Sequence, residues 1–474
     1  MKRAIAFILL SILLFASFTS YASPVDYMGG VYNEYEYEEM LFISGEPIKF
    51  TGKVKISEKT KEKDNLVTVS YDFDLTPENG QKGDKLQRKI TYQTVYTENP
   101  SKGQSVSTTT VTKYSEKIQL NDVDYKLEDY QFSRSDVYDN RPATNYYTGN
   151  IKARKYYSVN KNEGQIVIDI SGDVVGYGNF WGNTETQKIN QVITYADGKQ
   201  GIINTQTSDS LTKRLVYSDN EVNLISYNGG YVRTTNRQVV SRYDYNVPGG
   251  KGTKELSMQM NPTIERLIVP KFRDVDGHWA EEYIEKLYSL NVFDDTTKTF
   301  FYPEGSITRR EFVVALMKAC NIEPTIPEQK KTSRKKATQE VSPFRDISTE
   351  DKDYYYIKEA YTQGITYGKS NNLFKPNETL TVAEGVTMLI RALGFENRAP
   401  NPGYYTSFVD GSSIPYWAKD AAYVSKEIGL VTGTRFNANK TLTRAEASQL
   451  LVNFLKFLER DLQKDYRENI ILFN

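Results

Sequence analysis

The sequence predicts a multidomain chain with an all-β antiparallel region over residues 23–262 and an α-helical region over residues 263–462. Apolar and polar residues alternate with a period of two through much of the first region, which is typical of strands in a sheet with one wet face. In the second region a five-residue stretch occurs three times, each time followed by apolar residues at helical spacing. A chain of 474 residues is long enough for two or three domains.

The alternation in the first region often places Tyr or Phe on one face and Thr, Ser, Lys or Gln on the other. The clearest segments are 67–75, 90–96, 164–170, 191–195 and 238–245. Turn residues such as Glu78-Asn79-Gly80 separate them. We therefore predict an antiparallel sheet, without assigning its topology. The stretch 246–252 contains one proline and three glycines, which predicts a flexible connector.

Two groups of residues in the β region are candidates for a catalytic or a sugar-binding site. The acidic residues Glu34, Glu36, Glu38 and Glu39 could supply carboxylates to a glycoside hydrolase, but neighbours in sequence seldom face each other across a cleft. We interpret them as a solvated face. The aromatic residues near Gly178 could form a sugar platform, although a turn between strands is the simpler interpretation. They are Tyr177, Phe180 and Trp181.

The repeated stretch predicts the starts of three helices. Its copies are Ile307–Glu311, Leu380–Glu384 and Leu442–Glu446. A threonine followed three residues later by glutamate is a capping box, in which each side chain satisfies a backbone amide of the other residue. Arg309 and Arg444 are then the first helical residues of the first and third copies. A guanidinium beside unpaired amides at the positive end of a helix is a natural anion receptor.

Each copy belongs to a larger unit. A unit opens with an aromatic-x-Asp group, continues with a first helix and a loop that carries Phe-x-Pro or a variant of it, and closes with the capped helix. The opening groups are Phe272-Arg273-Asp274, Phe344-Arg345-Asp346 and Phe408-Val409-Asp410. Units of this size bury little alone, so we expect them to pack around a shared axis.

These units resemble S-layer homology domains in the Phe272–Ala280 stretch, in Phe-x-Pro and in the Thr-Arg-x-Glu boxes. The resemblance implies three helix-loop-helix repeats with pseudo-three-fold symmetry. It places them at residues 263–324, 343–396 and 397–462, with a charged insert at 325–342 and a tail at 463–474. Such modules bind secondary cell-wall polysaccharide in their grooves, often through a pyruvylated amino sugar.

The resemblance also implies site residues. The arginine of the box and the tryptophan that opens the first helix belong to the family's binding surface, and these roles carry over to Arg309, Arg444, Trp279 and Trp417. A pyruvyl carboxylate suits a bidentate arginine, and the C–H face of a sugar suits an indole. The alternative is that both tryptophans only anchor the core. In the second unit Val382 replaces the arginine, so a groove that relies on this box lacks its cation.

Composition and the N-terminus limit the remaining possibilities. Residues 1–22 have the basic start, apolar middle and small-residue end of a secretory signal peptide, with an uncleaved anchor as the alternative. The only cysteine, Cys320, excludes an intrachain disulfide and fits a core position. The only histidine, His278, excludes metal sites that need two histidines. With 60 basic and 60 acidic residues, nothing favours nucleic acid or an acidic membrane.

We therefore predict a secreted cell-surface protein, anchored non-covalently to an acidic cell-wall polysaccharide, with a structural or surface-interaction domain in its β region. We predict no enzyme activity and no cofactor or metal. Two alternatives stay open at this point. The first is a wall-tethered polysaccharide-acting enzyme with its active site in the β region, and the second is a protein that self-associates into a surface lattice.

Overall fold

The computed structural model describes residues 27–61, 64–99, 103–161, 163–219, 229–294, 299–324, 340–400 and 405–462. The predicted signal peptide, most of the charged insert and the tail lie outside the described residues. Within the described part, an antiparallel sheet is followed by α-helices. The prediction of an all-β region followed by a helical region is confirmed.

The sheet contains 14 strands, and β1 to β13 lie in sequence order, each paired with the next. Their bounds are β1 (Val31–Tyr32), β2 (Tyr37–Leu41), β3 (Ile48–Lys61), β4 (Leu66–Pro77), β5 (Lys85–Asn99), β6 (Gln104–Leu120), β7 (Val123–Asn140), β8 (Asn145–Val159), β9 (Gly164–Gly178), β10 (Gly182–Thr194), β11 (Gln200–Ser218), β12 (Gly230–Val247), β13 (Gly250–Gln259) and β14 (Thr263–Leu267). Strand β14 pairs with β12 beside β13. Because β1 also lies against β12 and β13, the sheet curls back on itself.

The stretch 246–252 is not a flexible connector, so that prediction was wrong. Strand β12 continues to Val247, which pairs with Gly250 at the start of β13, and Gly252 pairs with Tyr245. The proline and glycines therefore form a hairpin turn between two strands. Composition alone does not distinguish such a turn from a linker, because both use the same residues.

The inner face of the curled sheet buries charged residues among its aromatic side chains. The Arg88 guanidinium makes two hydrogen bonds to the Glu39 carboxylate, at 2.8 and 2.9 Å, and its Nε lies 3.0 Å from Glu116. Burial opposes ionisation of Glu116, but the nearby Arg88 and Lys155 cations outweigh it and lower the pKa of Glu116 to about 2. Glu34 and Glu36 are exposed, whereas Glu39 is fully buried, so its interpretation as part of a solvated face was wrong.

The segment Tyr27–Tyr32 passes through this interior. The Tyr27 ring lies 4.5 Å from that of Phe132, and the Arg134 guanidinium lies 5.8 Å from the Tyr27 ring centre. Gly30 has no room for a side chain, since a Cβ there would be 1.9 Å from the Tyr37 hydroxyl oxygen. The segment Tyr27–Tyr32 is therefore part of the core of the sheet.

The helical region alternates first helices with capped helices. Their bounds are α1 (Glu281–Ser289), α2 (Arg309–Ala319), α3 (Tyr354–Thr362), α4 (Val382–Leu393), α5 (Lys419–Glu427) and α6 (Arg444–Lys456), followed by a π-turn at Phe457–Asp461. Both hydrogen bonds of the capping box are present at Thr308, Thr381 and Thr443, as the sequence predicts. No helix in the described ranges is both long and apolar enough to cross a bilayer.

One apolar core joins these helices. It contains Phe312 of α2, Leu389 of α4 and Leu451 of α6, and Cys320 lies within it, as predicted. Burial raises the pKa of the Cys320 thiol, which keeps the thiol protonated and unreactive. Tyr177 and Trp181 of the sheet belong to the same core, with 1% and 2% of their surface exposed. They lie at the β9–β10 turn and cannot form an open sugar platform.

Replacing Gly30 by alanine tests the packing of the N-terminal segment. The added methyl group would overlap Tyr37, whose hydroxyl is held by a 2.8 Å hydrogen bond to Glu39. We expect the free energy of unfolding to fall by about 1–3 kcal/mol, as for other overpacked cores. Urea unfolding followed by circular dichroism measures it. Gly433→Ala is the control, because its Cβ would lie 3.5 Å from the nearest atom, and equal stabilities for the two variants would contradict the packing.

Candidate functional site

The three capped helices begin at a closed ring of backbone hydrogen bonds. The Ile307 amide donates to the Leu442 carbonyl at 3.0 Å, Leu442 donates to Leu380 at 2.8 Å, and Leu380 donates back to Ile307 at 3.1 Å. Each of these residues directly precedes the threonine of its box. The ring therefore fixes the starts of α2, α4 and α6 next to one another.

The first amides of each capped helix are also satisfied by a loop from a different unit. In α2, the Arg309 amide donates to Glu378 at 2.9 Å and the Arg310 amide donates to Pro376 at 3.1 Å. The equivalent bonds join Val382 to Lys440, Ala383 to Ala438, Arg444 to Gly305 and Ala445 to Pro303. The prediction of unpaired amides beside Arg309 and Arg444 was therefore wrong. The loop carbonyls occupy the donors that an anion would need.

The aspartate of each opening motif holds one of these loops. The Asp274 carboxylate accepts hydrogen bonds from the amides of Phe301 and Tyr302, at 2.8 and 2.7 Å. Asp346 does the same for Phe374 and Lys375, and Asp410 for Phe436 and Asn437. Burial opposes ionisation of Asp410, but the two amides outweigh it and its pKa lies below the ordinary value. The opening motif was recognised in the sequence, but the hydrogen bonds from its aspartate to the loop were not predicted.

The box arginines pair with glutamates of neighbouring boxes. Arg309 donates to the Glu384 carboxylate at 2.6 Å, and only 2% of its surface is exposed. Arg444 donates to the Glu311 carboxylate at 2.5 Å, and its guanidinium lies 4.5 Å from the Phe301 ring centre. Burial opposes ionisation of Glu384, but the Thr381 amide and Arg309 outweigh it and lower its pKa.

The third arginine–glutamate pair is missing. Val382 occupies the arginine position of α4, and Glu446 of α6 forms an ion pair with Lys440 of its own unit instead. Glu384 and Glu311 each receive an arginine from the preceding box in the ring, whereas Glu446 does not. The second box therefore departs from the others in its contacts as well as in its sequence.

The two candidate tryptophans lie at the surface. Trp279 precedes α1 and is 52% exposed, and Trp417 lies in the 3-10 turn Tyr416–Ala418 before α5 and is 54% exposed. Neither indole belongs to the core, so the core-anchor alternative was wrong. The structure thus places the two indoles half exposed at the surface, Arg309 in a buried ion pair and Arg444 in a partly exposed one.

His278 has a local structural role beside Trp279. Its Nδ1 accepts a hydrogen bond from the Ala280 amide at 3.1 Å, and its Nε2 lies 3.0 Å from the Glu304 carboxylate. These contacts tie the start of α1 to the loop before α2. Two further aromatic residues, Tyr302 of the Phe-x-Pro loop and Tyr416, are 63% and 85% exposed, and their exposure was not predicted. Exposure of this kind has no signature in the sequence.

Residues 271–313 and 343–384 match the sequence profile of the S-layer homology domain. The helical region therefore contains S-layer homology domains, as its motifs predicted. The chain is 30% identical over 181 residues to an endoglucanase of Bacillus sp. strain KSM-635, a match that covers 37% of this chain and 18% of that protein.

Two further relatives are named as a surface-layer protein and an anchoring protein. A surface-layer 125 kDa protein of Lysinibacillus sphaericus is 25% identical over 37% of this chain and 14% of its own length. A cellulosome-anchoring protein of Acetivibrio thermocellus is 28% identical over 32% of this chain and 31% of its own length. This chain spans less than a third of each of these three relatives.

Replacing Val382 by arginine should supply the missing ion pair. We expect the new guanidinium to reach Glu446, as Arg309 reaches Glu384, and to raise the free energy of unfolding by about 0.5–1 kcal/mol, the range of a partly exposed pair. Chemical denaturation measures the gain. The same substitution in a Glu446→Gln background is the control, and an equal gain there would contradict the pairing.

Proposed function

We propose that the helical region forms three S-layer homology repeats around a pseudo-three-fold axis and binds an acidic secondary cell-wall polysaccharide. The sequence predicts 263–324 for the first repeat, but β14 (Thr263–Leu267) is a strand of the sheet, so the repeats would occupy residues 268–324, 343–396 and 397–462. The single observation that carries this proposal is the cyclic set of contacts. In every unit an aspartate carboxylate accepts hydrogen bonds from amides of the unit's own loop. Two loop carbonyls accept hydrogen bonds from the capped helix of another unit, and one residue contributes a hydrogen bond to the ring.

The protein would act outside the cell as a surface protein held by this region. Residues 1–22 would be its export signal, and the sheet would be a structural or surface-interaction domain. The match to S-layer homology domains and the names of the surface-layer and anchoring relatives support this location. The endoglucanase resembles this chain over the helical region, so its name carries no argument for an active site in the sheet.

The binding surface would combine flat apolar rings with a cation. Trp279 and Trp417 offer exposed indole faces to the C–H face of a sugar. The Arg444 side chain is 20% exposed, and its partner Glu311 is 40% exposed, so a pyruvyl carboxylate could replace that partner. Arg309 is less accessible and would reach a ligand only after release from Glu384. We therefore rank Arg444 above Arg309 as the cation that faces the glycan.

The double substitution Trp279→Ala with Trp417→Ala tests the surface in the full chain. Both rings are half exposed, so their removal should leave the fold intact. We expect affinity for purified cell wall to fall about tenfold, since two aromatic contacts of about 0.5–1.5 kcal/mol each are lost. Co-sedimentation over a range of wall concentrations measures it.

Two comparisons make this test decisive. Tyr405→Ala removes an aromatic ring that is 94% exposed in the same region, and it should bind as the wild type does. Wall from which ketal-linked pyruvate has been removed by mild acid should bind the wild-type chain more weakly. Unchanged binding by the double variant would reject the tryptophan surface, and unchanged binding to the treated wall would reject the acidic ligand.

A further inference from the structure

The capped helices end against the sheet, at the opposite end from the ring. Helix α2 ends at Ala319, α4 ends at Leu393, and α6 runs into the π-turn that contains Glu459. The last carbonyl groups of a helix have no partner within the helix, so each end needs donors from elsewhere or from water. The ends of α2 and α4 each receive such a donor from the sheet, and a side chain in the turn after α6 accepts a third hydrogen bond from it.

The end of α2 receives a donor from the β9–β10 turn. The Trp181 indole N–H donates to the Ala319 carbonyl at 3.3 Å. The turn is itself fixed, because the Asn179 side chain accepts from the amides of Trp181 and Gly182 at 2.8 and 2.9 Å. Trp181 thus fills the helical core and satisfies a polar group at its margin.

The end of α4 receives a donor from the β7–β8 turn. The Ala143 amide donates to the Ala392 carbonyl at 2.8 Å. The Arg141 side chain crosses the same helix end so closely that a Cβ on Gly394 would lie 2.4 Å from its Cδ. Gly394 also has a φ of +71°, so the end of α4 needs glycine for its backbone and for the approach of Arg141. An arginine at a helix C-terminus also complements the helix dipole.

The turn after α6 receives its donor from β11. The Leu215 amide donates to the Glu459 carboxylate at 3.0 Å. That amide lies beyond the last residue of β11 that pairs with β10, which is Thr212. The Glu459 side chain therefore accepts a hydrogen bond from a backbone amide in the part of β11 that extends beyond β10. Nearby, the Tyr231 hydroxyl donates to the Glu282 carbonyl of α1 at 3.2 Å.

We propose that docking of the C-terminal ends of α2, α4 and α6 on the sheet makes the helical region and the sheet unfold as one cooperative unit, so that the helical region is not an independent module here. The sheet supplies donors to carbonyl groups at the ends of α2 and α4, a donor to the Glu459 carboxylate after α6, and part of the apolar core. This inference concerns stability and does not rest on the proposed binding of wall polysaccharide.

The arrangement also gives the helical region two distinct faces. The ring and its loops lie at the N-terminal ends of the capped helices, and the sheet covers their C-terminal ends. A polymer bound at the ring side would then hold the sheet at a fixed orientation to the wall, because three separate turns or strands of the sheet are attached. A flexible linker would not impose such an orientation.

Hydrogen exchange of the full chain, read by mass spectrometry, tests the proposal. Trp181→Ala should remove protection from amides of α2, from those of α4 and α6, which end on other parts of the sheet, and from those of strands β7 to β12. Ala143→Asp should give the same pattern, because its carboxylate would face the negative end of α4. Tyr405→Ala, which lies away from these contacts, should leave protection unchanged.

The set of helices and strands that lose amide protection distinguishes the possible outcomes. Loss of protection in all three capped helices and also in strands β7 to β12, in both variants, would support one cooperative unit. Loss confined to the helical region or to the helix next to each substitution, or no loss, would overturn the proposal. If Ala143→Asp fails to fold, Trp181→Phe replaces it, since it keeps a ring but removes the N–H donor and should cause a smaller loss in the same helices and strands. Polysaccharide is absent from this assay, so its result is independent of the binding test.

Discussion

The helical region depends on one constraint, which is that the backbone amides at a helix start must find acceptors. Three short helices meet in one place, and the amides at each start are buried by the neighbouring units. The ring through Ile307, Leu380 and Leu442, together with the loop carbonyls, satisfies these amides in a cyclic order. Each unit therefore supplies acceptors for the helix start of another unit.

The same constraint explains the residues of the repeated box. The threonine and glutamate cap their own helix, and the arginine pairs with the glutamate of the next box in the ring. Arg309 is therefore first a structural residue, because removing it would leave the Glu384 carboxylate without its main cation. An affinity loss in an Arg309 variant would mix destabilisation with a lost ligand contact. The exposed indoles are free of this ambiguity, which is why they carry the binding test.

The sequence predicted the features that depend on local chemistry. Alternation predicted the strands of the sheet, and Thr-x-x-Glu predicted the starts of α2, α4 and α6 to the residue. The sequence did not predict the features that depend on contacts between residues distant in the chain. Glu39 belongs to an acidic run in the sequence, yet it forms a buried ion pair with Arg88, which lies 49 residues further along the chain. The turn at 246–252 and the partner of Arg309 also depend on what lies next to them in space, which one sequence does not reveal.

Both ends of each capped helix are therefore in contact with other parts of the chain. The N-terminal amides are held by loop carbonyls, and the C-terminal ends are held by the sheet, so neither pole of the helix dipole is free to attract a ligand. The proposed binding would therefore depend on side chains that project from the turns before α1 and α5 and on the partly exposed Arg444. An acidic glycan would not need a free helix N-terminus, because these aromatic and cationic side chains would make the contacts.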